Sequence, residues 1–97
     1  MNSHQLLSAS EVALALPNLR GWVLEEDGLA IEREFQFNDF QEAFAFMTQV
    51  AQIAESMDHH PAWSNVYSKV HMRLYTHDLG GVSQKDLDLA QAVQELL

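Results

Sequence analysis

The chain has 97 residues, of which 47% are hydrophobic, a formal net charge of −9 and no cysteine. That length bounds it to one domain, residues 1–97, with a single core, and the composition is globular rather than disordered. The acidic balance argues against direct binding to nucleic acid or to an anionic membrane surface. The missing cysteines exclude disulfides, thiolate chemistry and cysteine-ligated zinc, and suit the cytoplasm.

No apolar run approaches the roughly 20 residues that span a bilayer. Met1 to Gln5 carry no basic flank before an apolar segment, unlike a signal peptide. Ser8-Ala9-Ser10-Glu11 reads as a capping box, with Ser8 as N-cap and Leu7 and Val12 as its hydrophobic staple. The helix is short, because Pro17 cannot continue it and biases Leu16 away from helical geometry. Asn18 to Gly21 then form a connector.

Gly21 to Glu25 and Leu29 to Phe37 are strand candidates separated by Glu26-Asp27-Gly28, a strong hairpin signal. In the second, Leu29, Ile31, Phe35 and Phe37 alternate with Ala30, Glu32, Glu34 and Gln36, and Arg33 interrupts the apolar face. One buried side is implied. Asn38 is the expected N-cap of the longest helix, which runs to about Met57. Its stripe is Phe40, Ala43, Phe44, Met47, Val50, Ala51 and Ala54, widened by Phe46 and Ile53.

Trp63 to Ser68 reads as a short strand that Asn65 weakens, and Lys69 to Thr76 as a better one. Val70, Met72, Leu74 and Thr76 alternate there with His71, Arg73, Tyr75 and His77, so His77 stands at the strand's end before Asp78-Leu79-Gly80-Gly81. The last helix starts at Ser83, with Asp86 as the capping carboxylate and Val82 stapling to Leu87. Its stripe of Leu87, Leu89, Ala90, Val93, Leu96 and Leu97 is wide enough to pack on another subunit as well as on the sheet. The order is α-β-β-α-β-β-α, an α+β domain with a four-stranded antiparallel sheet and three helices packed on one face.

The chemistry gathers in Glu55-Ser56-Met57-Asp58-His59-His60-Pro61-Ala62-Trp63. Imidazole is the side chain that ordinarily titrates nearest neutrality, so a histidine cluster is a natural proton-transfer site. It also fits a metal site or a solvated loop. Adjacent His59 and His60 cannot point the same way from a regular element, but a loop stiffened by Pro61 can present both to one ligand. Glu55 and Asp58 stand beside them as ring-orienting carboxylates or as solvated helix-end charges. Trp63 is a core anchor or a flat wall for a planar ligand. His71 and His4 have no assigned role. Zinc is disfavoured, because no HExxH helix or cysteine pair is present. No glycine-rich phosphate loop, nucleophile elbow or basic aromatic patch appears either.

Asp58 to Val70, followed by Leu74-Tyr75-Thr76-His77 and Gly80-Gly81-Val82-Ser83, closely resembles the pterin-4a-carbinolamine dehydratase family. Leu16-Pro17-Asn18-Leu19, Phe35 to Phe40 and Ala43 to Thr48 agree, so the likeness spans the chain from about Leu16 onward. The resemblance implies dehydration of 4a-hydroxytetrahydrobiopterin to quinonoid dihydropterin, without metal or organic cofactor, in a homotetramer or homodimer. It implies His59, His60 and His77 as catalytic residues; imidazole chemistry then leads to the expectation that His59 and His77 share acid and base roles while His60 grips and orients the pterin. Glu55, Asp58, Trp63, Tyr75, Thr76, Asp78 and Asp86 are implied as substrate-binding residues. Tyr75 stands where many members carry a smaller hydroxyl residue, and Leu79 occupies a position that varies. Animal members of the family also serve as dimerisation cofactors of a homeodomain transcription factor, which gives the alternative reading of a protein-interaction module.

Overall fold

In the computed structural model, which describes residues 5–97, the first helix α1 (Ala9–Ala15) begins at the expected capping box. Ser8 Oγ accepts from the Glu11 amide at 3.1 Å while Glu11 returns a carboxylate oxygen to the Ser8 amide at 2.7 Å. Leu7 and Val12 both pack into the core, and Leu16–Asn18 close the helix as a 3₁₀ turn with Pro17 in its first turn. His4 and the other residues of the Met1-to-Gln5 stretch before Gln5 lie outside the described residues.

The sheet contains β1 (Val23–Leu24), β2 (Ile31–Gln36), β3 (Ala62–Val66) and β4 (Lys69–Leu74), in the order β1-β2-β4-β3 with every pairing antiparallel. The first hairpin forms where Asp27-Gly28 places it: Gly28 takes φ +75° and Asp27 Oδ1 accepts from the Leu29 amide. The turn consumes more chain than expected. Leu29 therefore lies outside the strand and half-exposed, and the buried alternation begins only at Ile31. Arg33 shares the apolar face yet is tolerated there. Its Nη1 donates to the Arg20 carbonyl at 2.6 Å and its guanidinium lies 4.6 Å from the centre of the Phe35 ring.

In the second hairpin, Tyr67 and Ser68 are the turn rather than the end of a strand, with Val66 opposite Lys69 and Tyr67 at φ +51°. Asn65, which weakened the strand assignment, is what holds this turn: its amide donates to the carbonyls of Tyr67 and Lys69. Beyond β4, Thr76 makes an isolated bridge to Gly81, and His77–Leu79 form a 3₁₀ turn. His77 is thus lifted off the strand that the alternation assigned to it.

Helix α2 (Phe40–Met57) is capped by Asp39, not Asn38: Asp39 Oδ1 accepts from the Glu42 amide at 2.9 Å, and Asn38 instead donates its own amide to Glu42. Its buried line is Ala43, Phe46, Val50 and Ala54, whereas Phe40, Phe44 and Ala51 sit on the flank turned to solvent. The line is set by an aromatic seam. Phe46 meets Phe35 at 4.8 Å and Phe37 at 4.9 Å between ring centres, and Phe35 meets Trp22 edge-on. Such pairs add about 0.5–1.5 kcal/mol each beyond their area.

Helix α3 (Gln84–Gln94) completes the layer. Much of its wide stripe is used within the chain: Leu87, Leu89, Ala90 and Val93 are buried in the core and Leu96 packs against it, while Leu97 stays exposed. The stripe is wide because α3 is covered on more than one side. All three helices lie on the face of the sheet that carries Ile31, Phe35, Val70, Met72 and Leu74. Burying such side chains stabilises by about 1.5–3 kcal/mol each.

Candidate active site

The histidine segment owes its shape to the end of α2. Asp58 leaves the helix in the left-handed region, φ +51° and ψ +42°, a conformation that Asp tolerates better than most residues. The Asp58 amide bonds back to Glu55 and the His59 amide to Ala54 at 3.0 Å, the pairing of a Schellman turn. This reversal drives His59 inward, where it is 8% exposed, and leaves His60 outside. Pro61 follows at once and feeds the chain into β3. Adjacent histidines thereby receive opposite environments from one turn.

His59 is held from behind. Its Nε2 lies 2.5 Å from Asp86 Oδ1, and Asp86 is fully buried. The second oxygen of Asp86 accepts from Thr76 Oγ1 at 2.9 Å and from the Ser83 amide at 2.8 Å. Thr76 spends its only hydroxyl hydrogen on Asp86, so in its contact with Ser83 it accepts and Ser83 Oγ donates. A carboxylate only accepts, so the His59 ring carries hydrogen on Nε2 and its Nδ1 is the nitrogen left for a ligand. The four groups come from three separate segments, and together they fix one imidazole.

A cleft of about 330 Å³ opens in front of this cluster. The α2–β3 turn contributes Asp58, His59 and His60, the segment after β4 contributes Tyr75, Thr76, His77 and Asp78, and α3 contributes Lys85. Seven of the ten residues singled out in the sequence border it directly. Asp86 lies behind His59 rather than on the wall. Glu55 is on the solvent side of α2, pairing with His60 at 2.8 Å between groups 81% and 57% exposed, a contact worth at most about 1 kcal/mol. Trp63 faces the helical side of the sheet opposite Met72 and packs against the core, so it supplies no wall to the cleft.

Lys85 escaped the sequence reading. The signal was its place beside Asp86 in the first turn of a helix whose start is anchored at the histidines. The ion pair behind Tyr75 escaped it too. Arg73 Nε and Nη2 donate to the two carboxylate oxygens of Glu25 at 2.5 and 2.7 Å, across 48 positions of sequence. The hydrogen bond from Arg73 holds the Glu25 carboxyl below its ordinary value, and the same bond raises the Arg73 guanidinium. Burial alone lowers Arg33. Among the described residues no group of three or more His, Asp and Glu side chains is arranged to hold a metal ion. No helix among them is long and apolar enough to cross a membrane.

The chain is similar to known proteins over nearly its whole length. The family model described as "Pterin 4 alpha carbinolamine dehydratase" matches residues 5–96. The chain belongs to that family. A provisionally named pterin-4-alpha-carbinolamine dehydratase of Mesorhizobium japonicum is 52% identical over 89 residues, covering 92% of this chain and 91% of its own. Another so named, from a Bradyrhizobium species, is also 52% identical, over 90 residues, with 93% and 90% covered. A crystal structure from Brucella melitensis, described as a transcriptional coactivator/pterin dehydratase, superposes with a TM-score of 0.92 at 41% identity, covering 95% of this chain and 98% of that one. The α+β fold of this pterin dehydratase relative, with its order of elements, is the one seen here.

Proposed function

We propose that this protein is a hydro-lyase that dehydrates 4a-hydroxytetrahydrobiopterin to quinonoid dihydropterin and water, returning pterin to use after aromatic amino-acid hydroxylation. Family membership supports the reaction class. The single observation that carries the mechanism is the pair His59 and His77 on one cleft, the first locked on buried Asp86 and the second free of such a partner among the described residues. Two imidazoles in unlike settings suit opposite halves of an acid–base reaction.

The chemistry is balanced by one proton in and one proton out. The ring nitrogen next to C4a gives up its proton, its electron pair forms the C=N bond, and the C–O bond breaks as the hydroxyl takes a proton and leaves as water. His59 Nδ1 is the base in this reading, since Nε2 is committed to Asp86. His77 delivers the proton to the leaving hydroxyl. His60, outside and paired with Glu55, grips and orients the pterin, with Asp58, Thr76 and Asp78 supplying polar edges.

Loss of the carbinolamine is measured against its spontaneous decay for wild type and for single alanine variants of the three histidines. His59→Ala and His77→Ala should each lower kcat by about 10²–10⁴-fold. His60→Ala should chiefly raise KM. Wild type no faster than the spontaneous reaction would sink the enzymatic reading, and His60→Ala with unchanged rate and affinity would sink the gripping role.

A second reading, a protein-interaction module, rests on a different feature. Phe40 and Phe44 lie 5.6 Å apart on the outer flank of α2, 44% and 54% exposed. The sequence points to α3 for such contact, but α2 has the exposed aromatic surface left for a homodimer, a homotetramer or a foreign partner. A stoichiometric partner held through Phe40 and Phe44, with no dehydratase activity in the pure protein, would rank this reading first.

A further inference from the structure

The cleft has one wall that acid–base chemistry leaves unexplained. Tyr75 is the only carbocyclic ring among the residues that line it, and its centre lies 6.5 Å from that of His77. Trp63, the other candidate for a flat wall, is spent on the core. Two residues before Tyr75, Arg73 sets its guanidinium carbon 5.3 Å from the centre of the Tyr75 ring. A cation within about 6 Å of an aromatic face is attracted by the ring quadrupole.

The guanidinium is itself fixed. The planar fork of Arg73 meets both oxygens of Glu25, whose side chain is only 14% exposed, in the hairpin between β1 and β2. Bidentate geometry sets the plane of an arginine as well as its position. Tyr75 lies past the last residue of β4, so strand pairing does not hold it. A side chain so placed must be ordered when a ligand arrives, and ordering it beforehand improves affinity.

We infer that Glu25 and Arg73 are positioning residues, which hold Tyr75 as a stacking wall for a planar bicyclic ligand and so set the affinity and selectivity of the cleft. The inference rests on the pterin reading above and deepens it. Glu25 and Arg73 touch no substrate. They act from behind Tyr75, through the ring that does.

The test titrates biopterin, a stable planar pterin, into the full chain, with KM and kcat for the carbinolamine measured alongside. Tyr75→Ser should weaken biopterin about tenfold, and Tyr75→Phe, which keeps the ring, should restore binding to within about twofold. Arg73→Met should weaken it about threefold and move KM more than kcat. In a Tyr75→Ser background Arg73→Met should add nothing, because its effect passes through the ring. Lys69→Met removes a cation elsewhere on the sheet and should change neither quantity. Should Arg73→Met fail to fold, Glu25→Gln loosens the same fork.

Equal binding by Tyr75→Ser and wild type would overturn the inference, as would an Arg73→Met effect of the same size in both backgrounds. If wild type turns over the carbinolamine but Tyr75→Ser is unimpaired, the wall is wrong and the dehydratase reading stands. If wild type binds biopterin through Tyr75 without turnover, the wall stands and the dehydratase reading falls.

Discussion

Asp86 carries the start of a helix and the back of an imidazole at once: Oδ2 accepts from the Ser83 amide that opens α3, while Oδ1 meets His59 Nε2 at 2.5 Å. The start of α3 and the cleft imidazole are coupled through one buried carboxylate. Asp86→Asn would place an amide where His59 needs an acceptor or leave the Ser83 and Thr76 donors short of one. The expected result is a loss of about 1–3 kcal/mol, the cost of an unsatisfied buried group, and a fall in kcat of about 10²-fold from a loosened ring. Thermal melting and carbinolamine turnover read the two separately. A variant that loses stability but keeps full kcat would make Asp86 a helix cap and nothing more.

Glu25 is the residue whose titration marks the ion pair with Arg73. Arg73 holds its carboxyl below the ordinary 4.5, so the pair's contribution is fully present above that value and is lost as pH falls through the lower, folded-state value. Glu25→Gln should therefore be less stable than wild type near neutrality, by about 0.5–1.5 kcal/mol. The gap should close in acid below pH 4.5, where Arg73 stays charged and only Glu25 changes. Melting temperatures of both proteins across that window check it. A gap that widens in acid would contradict the assignment.

Most of the fold is legible from local rules. Ser8-Glu11, Asp27-Gly28 and Ser83-Asp86 act within three positions of themselves, and the structure bears out all three. What misleads is geometry that propensity and apolar spacing do not record. Asn65 weakens a strand by propensity but serves a turn through contacts two and four residues on. Phe40 and Phe44 obey helical spacing, yet the seam of Phe35, Phe37 and Phe46 turns α2 so that they face solvent. At the site, the histidines and their neighbours are visible as a cluster. That His59 is buried against a residue 27 positions away while His60 is not follows from the left-handed turn at Asp58, which no pattern of apolar residues records. The Glu25–Arg73 tie behind Tyr75 is likewise a product of sheet order.

Gly21 takes φ +84°, and a Cβ there would lie 2.8 Å from Arg33 Nε. The backbone region disfavours other residues, and the Arg33 side chain would have to shift to admit one. Gly21→Ala should cost about 1–3 kcal/mol. Combining it with Arg33→Ala should recover the steric part but not the backbone part, leaving a residual loss of about 1 kcal/mol. Denaturant titration of the two single variants and the double variant measures this. Strict additivity would show that the two side chains do not compete for that space.

Asp58 offers the opposite case, a residue retained in left-handed geometry where glycine fits better. At φ +51° it ends α2, turns His59 inward and lines the cleft. If stability alone chose this position, glycine would stand there, since it enters the left-handed region without a Cβ penalty. Asp58→Gly should raise stability by about 0.5 kcal/mol, a rise in Tm of about 2–4 °C for a chain of this size. It should also weaken carbinolamine turnover, because the carboxylate is lost while the turn is kept. Asp58→Asn, which also tolerates the left-handed region, should leave stability nearly unchanged and separate charge from shape. A glycine variant that is both more stable and as active as wild type would mean that the Asp58 carboxylate has no part in the site. A gain in Tm with a loss in turnover would mean that the strained position is kept for the carboxylate it carries.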